Sequence, residues 1–333
     1  MQKVIIDSDW GGDVLQLASI LAACPLEYDL LGATVTFGNA SLKQNLENAG
    51  AMLRFLGIDR KVRRYAGAFA PDGVAEPPEG DDAHGRTGLG SAVLETSTIA
   101  PSEIDAVDFL VETIEKEPAG SIILVATGPQ TNVARAIRKA PQTMQRLKEI
   151  RIMGGCTHPI RGYRVDSSLR RVGETAIERR GNITEHAEFN FQQASNDADA
   201  VLRSGIPIAL FPMNCTHQLT FTPDREKRLR RELSYLKTGT IEQLVSLFEG
   251  PARIDRQKFD SYPVMHDVHT TVSLVKPELY LGAFGEVNVT TRGETAGSTE
   301  FSESPNGNHW VSQTIVEPES VFEVLLSSLR TLV

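Results

Sequence analysis

The chain has 333 residues, of which 41% are hydrophobic and 23% charged, as in an ordinary water-soluble globular protein. Its formal net charge of −9 disfavours a nucleic-acid backbone or an anionic membrane surface as the main partner. The three widely spaced cysteines disfavour a disulfide framework or a zinc site. Because neither a signal-peptide core nor a run of roughly 20 apolar residues is present, we expect a cytoplasmic protein.

Short β-branched apolar runs alternate with longer stretches of helical periodicity through most of the chain. Strands are predicted at residues 4–6, 30–36, 121–125, 150–153 and 206–211. Helices are predicted at residues 14–23, 39–56 and 131–139. This alternation is typical of an α/β fold, in which helices cover both faces of an open, mostly parallel, twisted sheet.

Three segments depart from this rhythm. Residues 71–90 and 157–184 are polar and lack a clear period, so we predict two long surface loops. Residues 286–314 alternate polar and apolar side chains between turn residues, which predicts extra antiparallel strands near the C-terminus, followed by a helix from about Glu317. With no evident linker or repeat, residues 1–333 are expected to form one domain.

The acidic loop 7–13 (DSDWGGD), directly after the first predicted strand, is the strongest local signal. In open α/β sheets, ligands bind at the carboxyl ends of strands. The carboxylates of Asp7, Asp9 and Asp13 would repel one another there. A hard cation such as Ca²⁺ or Mg²⁺, which prefers oxygen ligands, would relieve that repulsion. The alternative is that Asp13 only caps the helix beginning at Val14.

Polar groups also follow other predicted strands, at Gly38-Asn39, at Thr127 and at Met153. A further element, residues 263–267 (PVMHD), opens a helical run. Taken alone, such a His-Asp pair is more often a surface histidine beside a carboxylate at a helix N-terminus. No one of these segments indicates a function by itself, so they are considered in combination.

Together these segments resemble the inosine-uridine-preferring nucleoside hydrolase family along nearly the whole chain. The acidic loop resembles the family's D-x-D-x-x-x-D-D loop, and the other matching segments follow in the family's order. They are VTFGNASL (35–42), YAGA (65–68), HGRTGLG (84–90), ATGPQTN (126–132), IMGG (152–155), GNITEHAEFN (181–190), CTHQ (215–218) and MHDV (265–268). The resemblance implies hydrolysis of the N-ribosidic bond of a small-molecule ribonucleoside, by a homodimer or homotetramer.

The resemblance also implies a role for each matching residue. Asp9 would be a metal ligand and the base that activates the attacking water, and His266 would protonate the leaving base. The Ca²⁺ ligands would be Asp9, Asp13, Asp267 and the carbonyl of Thr127. The side chains expected to contact the ribose or line the pocket are Asn39, His84, Met153, Asn182, Glu188 and Asn190.

Elementary chemistry makes these roles sensible. Cleavage of an N-ribosidic bond develops positive charge on the sugar, which a carboxylate-rich pocket stabilises. A metal lowers the pKa of bound water, and a neighbouring aspartate then accepts the proton. A histidine titrates near neutral pH and is suited to protonating the leaving base.

The acidic loop departs from the family pattern because it has one acid where the family has two in a row. Without a gap, Asp13 matches the acid that grips the ribose, and Val14 replaces the calcium ligand. With one residue deleted, Asp13 is the calcium ligand and the ribose-gripping acid is lost. We favour the deletion, because a valine methyl group cannot ligate a metal.

Two further departures concern Trp10 and a group of arginines. Trp10 stands where the family usually has proline, and it is expected either to stack on a ligand or to crowd the cavity. Residues 157–181 form a solvated charged loop in the simpler interpretation, or read an anionic group on an unusual substrate. This segment carries Arg161, Arg164, Arg170, Arg171, Arg179 and Arg180.

Two rival functions remain. A phosphatase of the haloacid dehalogenase type also begins with a strand and D-x-D, but its second acidic pair would have to be Asp81-Asp82, too early in the chain. The missing acid also allows a non-catalytic protein that binds ribose or nucleosides without turnover. Release of ribose distinguishes that alternative from a hydrolase.

Overall fold

A nine-stranded sheet forms the centre of the fold in the computed structural model, which describes residues 1–74 and 85–332. Two further strands, β6 (Ile160–Val165) and β7 (Arg171–Arg179), form a separate antiparallel hairpin. The strands of the main sheet are β1 (Gln2–Ser8), β2 (Tyr28–Val35), β3 (Arg64–Ala66), β4 (Ile122–Ala126), β5 (Glu149–Met153), β8 (Ile208–Phe211), β9 (Tyr280–Val289), β10 (Thr299–Glu303) and β11 (His309–Ile315).

The strand order is β10-β9-β11-β8-β5-β4-β1-β2-β3, with β1 between β4 and β2. Every pair from β11 to β3 in this order is parallel, whereas β9 is antiparallel to both β11 and β10. The predicted mostly parallel sheet with antiparallel strands near the C-terminus is therefore confirmed. Because β5, β4, β1 and β2 are parallel neighbours, their carboxyl ends share one edge of the sheet.

Helices pack on both faces of this sheet. They are α1 (Val14–Ala23), α2 (Leu42–Phe55), α3 (Ala106–Lys116), α4 (Thr131–Lys139), α5 (Pro141–Met144), α6 (Phe189–Gln193), α7 (Ser195–Leu202), α8 (Met213–Thr216), α9 (Pro223–Glu232), α10 (Thr238–Phe248), α11 (Ala252–Phe259), α12 (His269–Val275) and α13 (Pro318–Leu329). A short 3-10 helix spans Pro277–Leu279. The bounds of α1 and α4 are those predicted from the sequence.

Alternate residues of the central strands enter two different hydrophobic cores. Ile6 packs with α1 and α13 on one face, whereas Ile5 packs with α3, α4 and α7 on the other. Both side chains are fully buried. Successive side chains of a strand point to opposite faces, so a strand covered on both sides needs an unbroken apolar run. Each buried side chain of this size contributes about 1.5–3 kcal/mol of hydrophobic stabilisation.

The predicted loop at residues 157–184 is wrong, because this segment contains the β6–β7 hairpin. Two of its arginines, Arg171 and Arg179, bind backbone carbonyls within the protein. Arg179 is buried and donates to the backbone carbonyls of Tyr163, Gly181 and Thr184 at 2.9–3.1 Å. Strand alternation was hard to detect in the sequence because a buried arginine stands where an apolar side chain is expected. For the other predicted loop, residues 71–74 and 85–90 form turns and bends.

Arg171 fastens the hairpin to the C-terminus of α11. Its guanidinium donates to the carbonyls of Arg256 and Gln257 at 2.7 and 3.1 Å, and to the Asp260 carboxylate at 3.1 Å. It also lies 4.0 Å from the centre of the Tyr163 ring. The last carbonyls of a helix lack partners within the helix, so these bonds satisfy groups that would otherwise need water.

We therefore expect Arg171→Ala to lower the free energy of unfolding by about 1–2 kcal/mol, because several hydrogen bonds are lost together. The matched control is Arg170→Ala. Arg170 is mostly exposed and its side chain pairs with Asp166, four residues before it, so its loss should cost within about 0.5 kcal/mol. Urea denaturation of both variants measures the difference. Equal losses would show that Arg171 does not fasten the hairpin.

Candidate active site

One cavity opens at the carboxyl ends of β1, β4 and β5. It gathers every predicted site residue that lies within the described part of the chain. Its lining residues are Asp9, Asp13, Asn39, Thr127, Met153, Asn182, Glu188, Phe189, Asn190, Pro251, Ile254, Asp255, His266 and Asp267. His84, also predicted to line the pocket, lies outside the described residues.

Asp9 is held in a close-fitting backbone cradle just beyond β1. Its Oδ2 atom accepts a hydrogen bond from the Asn39 backbone N–H at 2.8 Å. Gly38 has a φ of +147°, and a Cβ atom at Gly38 would lie 2.1 Å from the same oxygen. Only glycine tolerates both that backbone conformation and that approach. The β2 end therefore fixes the orientation of the Asp9 carboxylate.

Three buried carboxyl groups, those of Asp9, Asp13 and Asp267, occupy this end of the cavity. Burial raises the pKa of Asp9 well above its ordinary value, and the charge of Asp13 raises it further. Burial and the charges of Asp13 and Asp9 likewise raise the pKa of Asp267. The charge of Asp13 therefore opposes ionisation of Asp9 and Asp267, which is the electrostatic environment that a bound cation relieves.

The side chain of Asp13 does not cap the helix that it precedes. It makes no capping hydrogen bond to α1, and its Oδ1 atom is buried without a partner among the described residues. Val14 is fully buried in the hydrophobic core beside the sheet. A buried, unpartnered carboxylate oxygen is costly unless a ligand satisfies it. This geometry fits an oxygen-ligated cation and supports the sequence register in which Asp13, rather than Val14, is the ligand.

Glu188 and Asn190 form hydrogen bonds with the backbone at the carboxyl ends of β4 and β5. Glu188 accepts backbone hydrogen bonds from Gly155, Asn190 and Phe191 at 2.9–3.1 Å, and burial raises its pKa to about 7. The Asn190 amide donates to the carbonyls of Thr127 and Met153, both at 3.1 Å. The Thr127 carbonyl is thereby fixed in the cavity wall. Asn39 and Asn182 are half-buried at the same cavity, and Asn182 Oδ1 accepts from the Phe189 N–H at 2.9 Å.

His266 is buried and oriented by a neighbour. Its Nδ1 atom is hydrogen-bonded to the Thr216 hydroxyl at 2.8 Å, which leaves Nε2 as the other functional atom of the ring. The His217 ring packs edge-on against it, with centroids 5.6 Å apart. The predicted surface position for an isolated His-Asp pair does not apply here, because both His266 and Asp267 line the cavity.

Asp255 is a buried cavity residue that the sequence analysis missed. It lies on α11, its Oδ2 atom accepts the Val264 N–H at 2.8 Å, and burial raises its pKa to about 7. One ligand atom each from Asp255, His217 and His266 lies within 4.8 Å of the other two. In the sequence Asp255 stands among charged residues, so no local pattern separates it from a solvated helix face.

Trp10 neither stacks in the cavity nor crowds it, so both expectations for this residue are wrong. Its side chain is fully buried in the hydrophobic core, and its indole N–H donates to the Thr34 carbonyl at 3.3 Å. Its φ of +37° is rare for a non-glycine residue. The turn thereby directs the indole into the core while Asp9 and Asp13 face the cavity.

Among the described residues, no helix is both long and apolar enough to cross a membrane. The arginines of the β6–β7 hairpin are absent from the described cavity lining, and Arg171, Arg179 and Arg180 bind backbone carbonyls. This placement favours a structural use of these three over recognition of an anionic substrate.

Comparison with known proteins decides the family. The family described as "Inosine-uridine preferring nucleoside hydrolase" matches residues 4–321. The chain belongs to this family. Among its relatives, the pyrimidine-specific ribonucleoside hydrolase RihA of Escherichia coli K12 is 30% identical over 297 residues, covering 89% of this chain and 87% of RihA. An uncharacterized protein of Schizosaccharomyces pombe is 32% identical over 292 residues, covering 88% of this chain and 86% of the relative.

Solved nucleoside hydrolases share the fold over nearly their whole length. The plant nucleoside hydrolase PpNRh1 superposes with a TM-score of 0.83 at 26% identity, covering 99% of both chains. The purine-preferring ribonucleoside hydrolase from Gardnerella vaginalis gives a TM-score of 0.84 at 24% identity, covering 100% of both chains. Family and relatives together indicate ribonucleoside hydrolysis with a metal, and they do not favour the phosphatase or the non-catalytic alternative.

Proposed function

We propose that this nucleoside hydrolase binds its substrate between His266 and a carboxylate cluster formed by Asp9, Asp13 and Asp267, and cleaves the N-ribosidic bond there. One observation carries the proposal: a single cavity holds a buried carboxylate at a strand end, two further carboxylates and an oriented histidine. The carboxylates favour the positive charge that develops on the ribose as the bond breaks. Asp9, whose carboxylate lines the cavity, accepts the proton of the attacking water.

The cation that fits this cluster is Ca²⁺, because every donor is oxygen. Asp9, Asp13, Asp267 and the carbonyl of Thr127 would hold it, with water or ribose hydroxyls at the remaining positions. When bound, the ion would lower the pKa of a water molecule and orient the ribose. The ion would then favour the ionised forms of Asp9 and Asp267, whose pKa values are raised in the free protein.

His266 delivers a proton to the leaving base at the other end of the bond. The hydrogen bond between the Thr216 hydroxyl and Nδ1 fixes the ring, and Nε2 is the atom that exchanges the proton. Asn39, Asn182 and Asn190 line the space for the ribose hydroxyls, with Met153 against the sugar. A substrate without those hydroxyls would leave polar groups unpaired, which selects ribose over deoxyribose.

The test is release of ribose from a panel of purine and pyrimidine ribonucleosides, with millimolar calcium present. Both classes belong in the panel because RihA is named pyrimidine-specific and the Gardnerella vaginalis enzyme purine-preferring. We expect turnover of at least one ribonucleoside and at least tenfold slower turnover of its deoxy form. Binding of ribonucleosides without release of ribose would support the non-catalytic alternative. We also propose a homodimer or homotetramer, which light scattering of the purified protein tests.

Calcium should stabilise the protein more at pH 8 than at pH 5. In the free protein the pKa values of Asp9 and Asp267 are raised, so calcium must displace more protons from them at the lower pH. At higher pH the protons leave, and the gain in melting temperature on adding millimolar calcium increases. In Asp13→Asn most of that gain should disappear, whereas Asp29→Asn, on β2, should keep it. An equal gain in melting temperature at both pH values would contradict the assignment of Asp9 and Asp267 as calcium ligands.

A further inference from the structure

A second group of metal-ligating side chains, two of which line the same cavity, differs in chemistry from the carboxylate cluster. We propose that His217, Asp255 and His266 form a site for a zinc-like transition-metal ion, and that its occupation inhibits the enzyme. One ligand atom from each residue lies within 4.8 Å of the other two. The binding part of this proposal is independent of the proposed function, while the inhibitory part rests on the proposed role of His266.

The donor set selects the kind of ion. Two imidazoles and a carboxylate suit zinc and its neighbours, whereas calcium and magnesium prefer oxygen alone. Ligand atoms around a tetrahedral zinc ion lie roughly 3.3 Å apart. From separations of at most 4.8 Å, the three atoms need to approach one another by only about 1.5 Å. The two cation sites would therefore be distinguished by ligand type, although Asp255 and His266 line the cavity that also holds Asp9, Asp13 and Asp267.

His217 supplies the observation that points to a ligand. Its Nε2 atom is buried and has no hydrogen-bond partner within residues 1–74 and 85–332. An unpaired polar atom in that position is costly, so an ion that accepts its lone pair would be favoured.

The other two ligands are already oriented by hydrogen bonds of the kind that support metal sites. Thr216 holds His266 through Nδ1, and the Val264 N–H holds Asp255 through Oδ2. Such bonds fix the orientations of the His266 ring and the Asp255 carboxylate. A metal on His266 would occupy the group that gives a proton to the leaving base, so zinc should inhibit turnover.

The experiment uses tag-free protein saturated with calcium and titrated with zinc. Calorimetry gives the zinc affinity, visible absorption of the cobalt-substituted protein reports the ligand geometry, and ribose release reports inhibition. We expect one zinc per chain, intense cobalt bands typical of nitrogen-containing tetrahedral sites, and inhibition over the same zinc range. His217→Ala should weaken binding at least tenfold and raise the inhibitory zinc concentration equally. Without zinc, its turnover should stay within about threefold of the parent.

Two controls keep the outcome decisive. His217→Gln keeps most of the side-chain volume and replaces the imidazole with a poor zinc ligand, so it serves if the alanine variant does not fold. His186→Ala removes an exposed imidazole and should leave zinc affinity unchanged. Unchanged zinc affinity in both His217 variants, or no binding to the parent protein, would overturn the site. Binding without inhibition would overturn its inhibitory effect. Neither result depends on which nucleoside is the substrate.

Discussion

Asp9→Asn is expected to lower ribonucleoside turnover by about 10³-fold or more, because it removes the base and one of the cation's charges together. The substitution keeps the side-chain shape, and an amide still fits beside the Asn39 N–H. Removal of one of three mutually repelling buried carboxylates should also leave the calcium-free protein at least as stable as the parent.

The measurement is kcat and KM for ribose release, together with the melting temperature in the absence of calcium. Asp29→Asn is the matched control, since this residue lies on β2, outside the described cavity lining, and pairs with Lys61 at 3.0 Å. Retention of more than about a tenth of the parent turnover by the Asp9 variant would exclude Asp9 as the base. A lower melting temperature with equal loss of turnover would indicate a structural defect instead.

His266→Ala should slow natural ribonucleosides by about 10²-fold or more but p-nitrophenyl riboside by only a few-fold. The nitrophenolate ion leaves without a proton, so an acid catalyst is redundant for that substrate. The comparison is made within one variant protein, which cancels any general loss of folded enzyme. His158→Ala, an exposed histidine outside the described cavity lining, should change neither rate.

A companion variant tests the orientation of the His266 ring separately from its role as proton donor. Thr216→Val removes the hydroxyl that holds His266 Nδ1 and keeps the imidazole. Natural substrates should slow by about tenfold, the order of one hydrogen bond of about 1–1.5 kcal/mol. If His266→Ala slows both substrate types equally, His266 is not the proton donor. Another acid would then have to protonate the leaving group, and Asp255, with a carboxylate oxygen within 4.8 Å of a His266 ring nitrogen, is a candidate.

Much of the fold was predictable because strand and helix periodicity are local properties. Parallel neighbouring strands end at one edge of a sheet. The sequence could therefore place the acidic loop close to Asn39 and Thr127. Helix α3 also carried a local signal that the predicted elements do not include: Asp105 caps it by accepting the Asp108 N–H, and its buried residues have helical spacing. Strand β3 has three residues, too few for a reliable period.

The features of the fold and of the site that the sequence did not predict depend on tertiary packing between distant segments. Asp255 and His217 enter the cavity region from segments whose local sequence is charged or mixed, and only tertiary structure brings them to His266. The β6–β7 hairpin was predicted as a loop because its arginines find partners in distant backbone carbonyls rather than in water. Trp10 has a position in the core that follows from a positive φ, which sequence periodicity does not report.

The most direct test of the account is the fate of labelled water in a single incubation. The protein is incubated with a ribonucleoside that it binds and with millimolar calcium in water labelled with heavy oxygen. Mass spectrometry then measures the masses of the products. We predict equal amounts of free base and ribose, with one heavy oxygen in each ribose when the reaction is stopped early, and about 10³-fold less of both products from Asp9→Asn. Intact nucleoside at concentrations where binding is measured, or free base without labelled ribose, would contradict hydrolysis at this site.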